Sequence, residues 1–347
     1  MGRLGPDPRG GWQPVTTMRA LLGGDGPAWV PREVEIPEPG AGQVRVAVRA
    51  AGLNRSDIYM MDGSYTPATK SGNAATFVPG LEYAGIIDAL GTGVTGWSEG
   101  DRVMVSSLGG MAEYALADHR NLLPVPLGIS WEEAAALPIG MGTEHDAVVS
   151  QAGLSQGDSV LFVGGTSGVG LAGIQIAKAF GAGKVIATTT SATKMGLPTT
   201  VGADVVVDTT TQDLTQTVLD ETEGRGVDIV VDHVGGPGFS QLFGLTRIGG
   251  TVINIGRLAG PDTTINLDQL SFRRIHLIGT TFSVRTPEER AAVYAAVRDN
   301  VVPLIEKGLI RAKIDQVIAW ENAPQALEIL RTNRNAGKLV VKVSSVD

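Results

Sequence analysis

The sequence predicts an α/β protein in two parts, a mostly β domain and a doubly wound parallel-sheet domain inserted within it. Three observations predict this. The apolar strand Val160-Leu-Phe-Val163 runs directly into the glycine turn Gly164-Gly-Thr-Ser-Gly-Val-Gly170 and then into the helical segment Leu171 to Phe180. Between Ser159 and Ile278, apolar strands alternate with helical stretches, the pattern of a parallel sheet. The front of the chain instead carries short alternating strands punctuated by Gly, Pro and Asp, which suits antiparallel β structure.

Taken in order, residues 1–17 are rich in Gly, Pro and Arg and lack an apolar stretch; a flexible leader rather than a signal peptide is expected. Strands are then expected at Gln43–Arg49, Ala84–Asp88 and Asp101–Val105. The next six, at Ser159–Val163, Lys184–Thr188, Asp204–Val207, Val227–Val231, Thr251–Ile255 and His276–Ile278, fit a six-stranded doubly wound sheet. A long amphipathic helix follows from Thr286 to Lys307, with Thr286 as N-cap and Pro287 at the first helical position. A helix at Ala323–Thr332 and a strand at Lys338–Val343 complete the chain. This tail is expected to return to the first domain, so that 18–139 and 281–347 form one domain and 140–280 the other.

Composition narrows the function. With 347 residues, 43% hydrophobic and 18% charged, the chain reads as a soluble, cytoplasmic globular protein. A net charge of −8 without strong blocks of either sign argues against nucleic acid or anionic membrane as the main partner. Cysteine is absent, which removes disulfides, thiol nucleophiles and every thiolate zinc site.

The glycine turn carries the chemistry. Amides at a helix N-terminus have no intrahelical acceptor and point at whatever sits there, and phosphate is the natural guest. Gly165, Gly168 and Gly170 let the backbone turn tightly and approach a pyrophosphate. The strand Lys184 to Thr188 completes a strand-helix-strand unit of about 30 residues. At its end, Thr188-Thr-Thr-Ser-Ala-Thr-Lys194 offers no carboxylate. An acid there would bind an adenosine ribose and repel a 2′-phosphate, so NADPH is favoured over NADH. Ser191 and Lys194 are suited to the 2′-phosphate; the other reading is an exposed hydroxyl-rich turn with a solvated lysine.

Beyond this turn, separated motifs recur along the chain: Ala50-Ala-Gly-Leu-Asn-Arg-Ser-Asp57, Pro79-Gly-Leu-Glu-Tyr-Ala-Gly85, Gly100-Asp-Arg-Val103, Glu133-Ala-Ala-Ala-Leu-Pro138, Gly224-Arg-Gly-Val-Asp228 and Asn335-Ala-Gly-Lys338. With them the chain resembles the medium-chain dehydrogenase/reductase superfamily, and within it the zinc-independent quinone oxidoreductases. The resemblance implies a GroES-like, mostly β catalytic domain plus a Rossmann domain. Zinc-dependent relatives place metal ligands where this chain has Asn54, Leu81 and Gly140 or Met141, so no metal is expected. His119, His145, His233 and His276 lack ligand spacing.

The same resemblance implies Asn54, Tyr59, Tyr65 and Thr143 as residues lining the substrate. It puts the backbone of Ser167, Gly168 and Val169 on the pyrophosphate. Val234, the run Ile255, Gly256 and Arg257, and the run Thr280, Thr281 and Phe282 fall near the nicotinamide, with Asn335 and Lys338 reaching the adenosine phosphates. Tyr59 and Tyr65 are alternatively amphipathic caps on the core, and Lys338 a solvated residue. Asp57 is read as tying down its loop, and Glu82 as pairing with a base such as Arg55 or orienting the loop.

Three departures stand out: Ser167 in the fingerprint, Gly140-Met-Gly-Thr-Glu-His-Asp146 after the Leu-Pro motif, and Asp208-Thr209 after a strand. Glu144 and His145 form a proton relay or, as the favoured reading, His145 caps a helix.

The reaction implied is hydride transfer from NADPH to a quinone or an α,β-unsaturated carbonyl, by a homodimer joined through edge strands at Thr251–Ile255 and His276–Ile278. Alternatives are an enoyl-thioester reductase of the same family and a non-catalytic NADPH-binding sensor or structural protein. A short-chain dehydrogenase fits poorly, since no tyrosine is followed four residues later by lysine.

Overall fold

Strand periodicity builds the first unit. The computed structural model describes residues 4–6, 12–14, 16–24, 26–61, 63 and 76–343; Tyr65 lies outside them. Chain contacts divide the protein into two units, one of Met1–Pro138, Gln316–Asn335 and Leu339–Asp347, the other of Ile139–Asp315 and Ala336–Lys338. In the first unit β1 (Leu4–Pro6) pairs antiparallel with β2 (Trp12–Pro14), and β3 (Thr17–Gly24) with β4 (Gly26–Glu35). The leader expected to be flexible thus contains two paired strands. Proline's fixed φ suits strand ends, and Pro6 and Pro14 stand at such ends.

The main sheet is centred on β5 (Gln43–Gly52), where Val44, Val46 and Val48 are fully buried and alternate with half-buried neighbours, as a period of two requires. It includes β6 (Glu82–Leu90), β7 (Arg102–Ser106), β8 (Tyr114–Asp118) and β9 (Leu122–Pro124). α1 (Arg55–Met61) follows β5, and α2 (Trp131–Ala135) opens with a Ser130–Glu133 capping box.

In the second unit α3 (Pro138–Glu144) runs into a π-helical turn, His145–Gln151. The sheet that follows comprises β10 (Ser159–Val163), β11 (Lys184–Thr189), β12 (Val205–Asp208), β13 (Val227–Asp232), β14 (Thr246–Asn254) and β15 (His276–Gly279). All its pairings are parallel, in the order β12-β11-β10-β13-β14-β15. Alternate residues of β10 feed opposite faces. Val160 and Phe162 pack with Leu171 and Ile174 of α4 (Gly168–Ala179), while Leu161 packs with Phe239, Leu242 and Phe243. Apolar cover on both faces is what makes the sheet doubly wound. α5 (Gly196–Thr199), α6 (Leu214–Glu221), α7 (Leu242–Leu245) and α8 (Leu267–Phe272) fill the crossovers.

The tail differs from expectation in two ways. The expected single helix is two, α9 (Pro287–Asn300) and α10 (Val302–Glu306), because Pro303 has no N–H to donate to the preceding turn. Residues 281–315 also stay with the second unit instead of returning to the first at 281. Side-chain contacts explain this: Phe282 packs on Tyr294, the position of a Gly142 Cβ lies 2.8 Å from the Tyr294 hydroxyl, and Gln175 Nε2 donates to the Arg311 carbonyl at 3.0 Å. The return is made by β16 (Ile314–Ala319), α11 (Ala323–Arg331) and β17 (Lys338–Lys342), the last pairing antiparallel with β5. Thr286 caps α9 as expected, in a capping box with Glu289.

Candidate functional site

The glycine turn is shaped by contacts that no side chain would survive. Gly164 has φ +84°, and its N–H donates to Thr188 Oγ1 at 3.0 Å, while the Gly165 N–H donates to the Thr188 carbonyl at 3.0 Å. A Cβ on Gly165 would lie 2.7 Å from Ala187 Cβ, and one on Gly170 would lie 2.8 Å from the Gly164 carbonyl oxygen. A Cβ on Gly168 would collide with the Lys338 stem. Ser167 caps α4: its Oγ accepts from the Gly170 N–H at 3.0 Å and donates to the Gly164 carbonyl at 3.1 Å. The replaced fingerprint glycine therefore acts as an N-cap. The first-turn amides of Gly168 and Val169 precede any intrahelical bond. Thr188, expected at the cofactor, supports the turn.

Beyond β11, Ser191 Oγ lies 2.9 Å from Thr193 Oγ1, and Lys194 is half-buried. In register with Thr189 stands Asp208, whose Oδ1 is engaged by the Thr210 N–H at 3.0 Å and hydroxyl at 2.7 Å. Lys338 is 6% exposed, not solvated, and its stem lies over Gly168.

At the ends of β13 and β14 the expected nicotinamide segments are organised by Asp232. Its carboxylate accepts from the amides of Val234 at 2.9 Å and Gly235 at 2.9 Å and from Asn254 Nδ2 at 2.7 Å. Val234 abuts Gly164, and its carbonyl accepts from Ala259. The amides of Ile255 and Gly256 donate to the Asp232 carbonyl. Arg257 is exposed. Thr280 Oγ1 accepts from Gln151 Nε2 at 3.0 Å and Arg285 at 3.1 Å, and Thr281 caps the Ser283 amide. Phe282 lies under the Arg285 guanidinium, 4.8 Å from its ring centroid.

The consecutive residues Glu144, His145 and Asp146 neither form a relay with one another nor cap a helix. Glu144 is fully buried, and its Oε1 lies 2.6 Å from His233 Nε2. His145 is 2% exposed, its ring nitrogens make no hydrogen bond among the described residues, and its ring packs edge-on against Phe180. The expected cap fails because the turn continues through His145 as helix, leaving no cap position there. Burial holds the His145 pKa below its ordinary value, against a smaller pull from Asp146. Asp146 pairs with Arg285 at 2.5 Å and accepts from Gln151 at 2.5 Å. Sequence reading missed His233, Asp232, Asp146 and Arg285. The available signal was an Asp-His pair ending an apolar strand.

In the first unit, Asn54 is 7% exposed. Its backbone N–H donates to Asp57 Oδ2 at 2.7 Å, its Nδ2 donates to Glu82 Oε1 at 3.1 Å, and Asp57 Oδ1 accepts from the Gly80 N–H at 3.2 Å. Asp57 thus ties the loop. Glu82 engages Asn54, whereas Arg55 reaches Asn333 Oδ1 at 3.2 Å. Gly52 is required beside them, since a Cβ there would lie 2.6 Å from Glu82 Oε1 and 2.5 Å from the Ala135 carbonyl. Tyr59 is half-buried on α1, Leu81 is 7% exposed, and Asn335 lies before β17. Thr143 is half-buried on α3 in the second unit.

Comparison with known proteins gives two family matches, "Alcohol dehydrogenase GroES-like domain" over residues 40–127 and "Zinc-binding dehydrogenase" over residues 168–298. A quinone oxidoreductase of Pseudomonas aeruginosa is 32% identical over 316 residues, 89% of this chain and 94% of that one. Among solved structures, a mycobacterial quinone oxidoreductase is 28% identical with a TM-score of 0.81, over 94% of this chain and 99% of that one. An NAD-dependent alcohol dehydrogenase is 30% identical with a TM-score of 0.81, over 94% and 100%.

Proposed function

Because the chain belongs to the medium-chain dehydrogenase/reductase superfamily, among its quinone oxidoreductase-like members, we propose that it transfers hydride from NADPH to a quinone or an α,β-unsaturated carbonyl without a metal. The observation that carries this is the donor set of the first unit. Leu81 offers hydrocarbon, Asn54 an amide already bonded to Glu82, and the chain has no cysteine. Catalytic zinc takes three protein ligands of nitrogen, thiolate or carboxylate type, and this set does not fit it. A reaction that needs no Lewis acid suits this set, and a conjugated acceptor is electrophilic by itself.

The glycine turn fits a dinucleotide, since a side chain is excluded at Gly165, Gly168 and Gly170 where a pyrophosphate needs close approach. Bound NADPH supplies two electrons as hydride, and one proton from solvent completes the reduction to a hydroquinone or a saturated carbonyl. The amides of Gly168 and Val169 receive the diphosphate. Ser191 and Lys194 hold the 2′-phosphate, a reading supported by the lack of a carboxylate from Thr188 to Lys194 and by the engagement of Asp208 with Thr210. Lys338, whose stem lies over Gly168, and Asn335 are assigned to the adenosine phosphates. Val234, Ile255, Gly256, Arg257, Thr280, Thr281 and Phe282 surround the nicotinamide. Asn54, Tyr59 and Tyr65 orient the acceptor and donate to its oxygen, with Thr143 on the substrate or ribose. The chain is assigned to a homodimer joined through the edge strand β15.

The test is NADPH oxidation with 1,4-benzoquinone, an enone, a saturated ketone and crotonyl-CoA, each repeated with NADH. Turnover of quinone or enone with NADPH preferred supports the reading. Preference for crotonyl-CoA favours enoyl-thioester reduction, and cofactor binding without any turnover favours a non-catalytic role.

A further inference from the structure

We propose that Glu144 and His233 are positioning residues for the dinucleotide, joining the two strand ends at which the parallel sheet reverses its order. This rests on the nucleotide reading above. In the order β12-β11-β10-β13-β14-β15 the succession changes direction between β10 and β13. Such a reversal opens a crevice beyond the carboxyl ends of the two strands, where ligands of open parallel sheets bind.

His233 is the first residue after β13, and its Nδ1 lies 3.1 Å from the carbonyl oxygen of Val163, the last residue of β10. A carbonyl only accepts, so Nδ1 carries a proton. The His233 backbone N–H donates to the same carbonyl at 3.2 Å, so the ring adds a second tie between the two strand ends that flank the crevice. Its other nitrogen, Nε2, meets Glu144 Oε1 at 2.6 Å, and the ring stacks on Phe162 with centroids 6.4 Å apart. With Nδ1 fixed, the Nε2–Oε1 contact holds one further proton, as imidazolium–carboxylate or as imidazole–carboxylic acid, and the pair is neutral either way.

Glu144 also reaches the phosphate-binding helix. A Cβ on Gly173 of α4 would lie 2.5 Å from Glu144 Oε2 and 2.5 Å from Phe162, so α4 approaches the carboxyl group directly. A single buried acid thus contacts α4 and, through one histidine, both strand ends. Packing alone does not require this chemistry, because replacing both members of a buried ion pair by apolar residues of similar volume is often neutral or stabilising. What the pair supplies is fixed direction, through hydrogen bonds with one geometry.

The test compares the full-length wild type with Glu144→Leu, which fills the volume without the bond, and Glu144→Gln, whose amide donates to neutral His233 Nε2. NADPH affinity is read by nicotinamide fluorescence, kcat and KM with 1,4-benzoquinone, and folding by thermal midpoint. Glu144→Leu is expected to weaken NADPH binding by about tenfold, the scale of one hydrogen bond to a charged group, at temperatures where the variant is still fully folded. Glu144→Gln is expected to restore most of that loss. Wild-type binding by Glu144→Leu overturns the proposal, as do equal losses in both variants or losses that only follow the thermal midpoint. Should Glu144→Leu fold poorly, His233→Gln decides, since its amide no longer shares a proton with Glu144; unchanged NADPH affinity there overturns the proposal. A wild type that binds neither NADPH nor NADH overturns the nucleotide reading itself.

Discussion

His233 shows how a single side chain acquires its state from its neighbours. Burial by itself would lower its pKa, but the charge and hydrogen bond of Glu144 from α3, the Val163 carbonyl and the nearby Asp232 outweigh it, and the pKa is raised. Because the folded value exceeds the unfolded one, the pair's contribution to stability is full below about pH 6.5. It is lost as pH rises through the raised value. The thermal midpoint of the wild type is therefore expected to fall over that window, and Glu144→Gln to lack this fall; a wild-type profile flat from pH 6.5 to 9 contradicts the assignment. Sequence makes such a pair hard to see, because its members stand 89 positions apart and neither has a local partner. Asp57 was legible for the opposite reason. Its partner Asn54 is three positions away, within the reach of a local turn.

At the scale of elements, the strands of the parallel sheet were legible because each is a short apolar run bounded by turn residues. The glycine turn was legible because its spacing has a steric cause that the structure makes explicit at Gly165 and Gly170. Edges were less so. Thr251–Ile255 was expected at a subunit edge, yet β14 pairs with β13 on one side and β15 on the other, so that of these two strands β15 alone lies at an edge. Strand order follows from crossovers, which no local pattern encodes. β15 carries Leu277 at 41% exposure, flanked in sequence by Phe272 at 80% and Val284 at 82%, and an exposed apolar strand edge calls for cover. Light scattering after size exclusion is expected to show a dimer for the wild type and a monomer for Leu277→Arg. A wild type that stays monomeric through the micromolar range contradicts the placement of a second copy on β15.

For the whole molecule, a β unit interrupted by a parallel-sheet unit was legible from the switch between two hydrophobic periods. The point of return was not, because residues 281–315 are held in the second unit by individual contacts such as Phe282 on Tyr294 and Gln175 on Arg311. No helix among the described residues is long and apolar enough to cross a membrane. The glycine turn of the second unit suits a dinucleotide, and Leu81 and Asn54 of the first unit offer zinc no nitrogen, thiolate or carboxylate ligand. Hydride transfer to a conjugated acceptor is then expected to proceed without metal. The measurement that tests this most directly is kcat/KM for NADPH with 1,4-benzoquinone, before and after exhaustive dialysis against EDTA. Equal values in the two states are predicted. Activity lost on chelation and restored by added zinc would contradict the account.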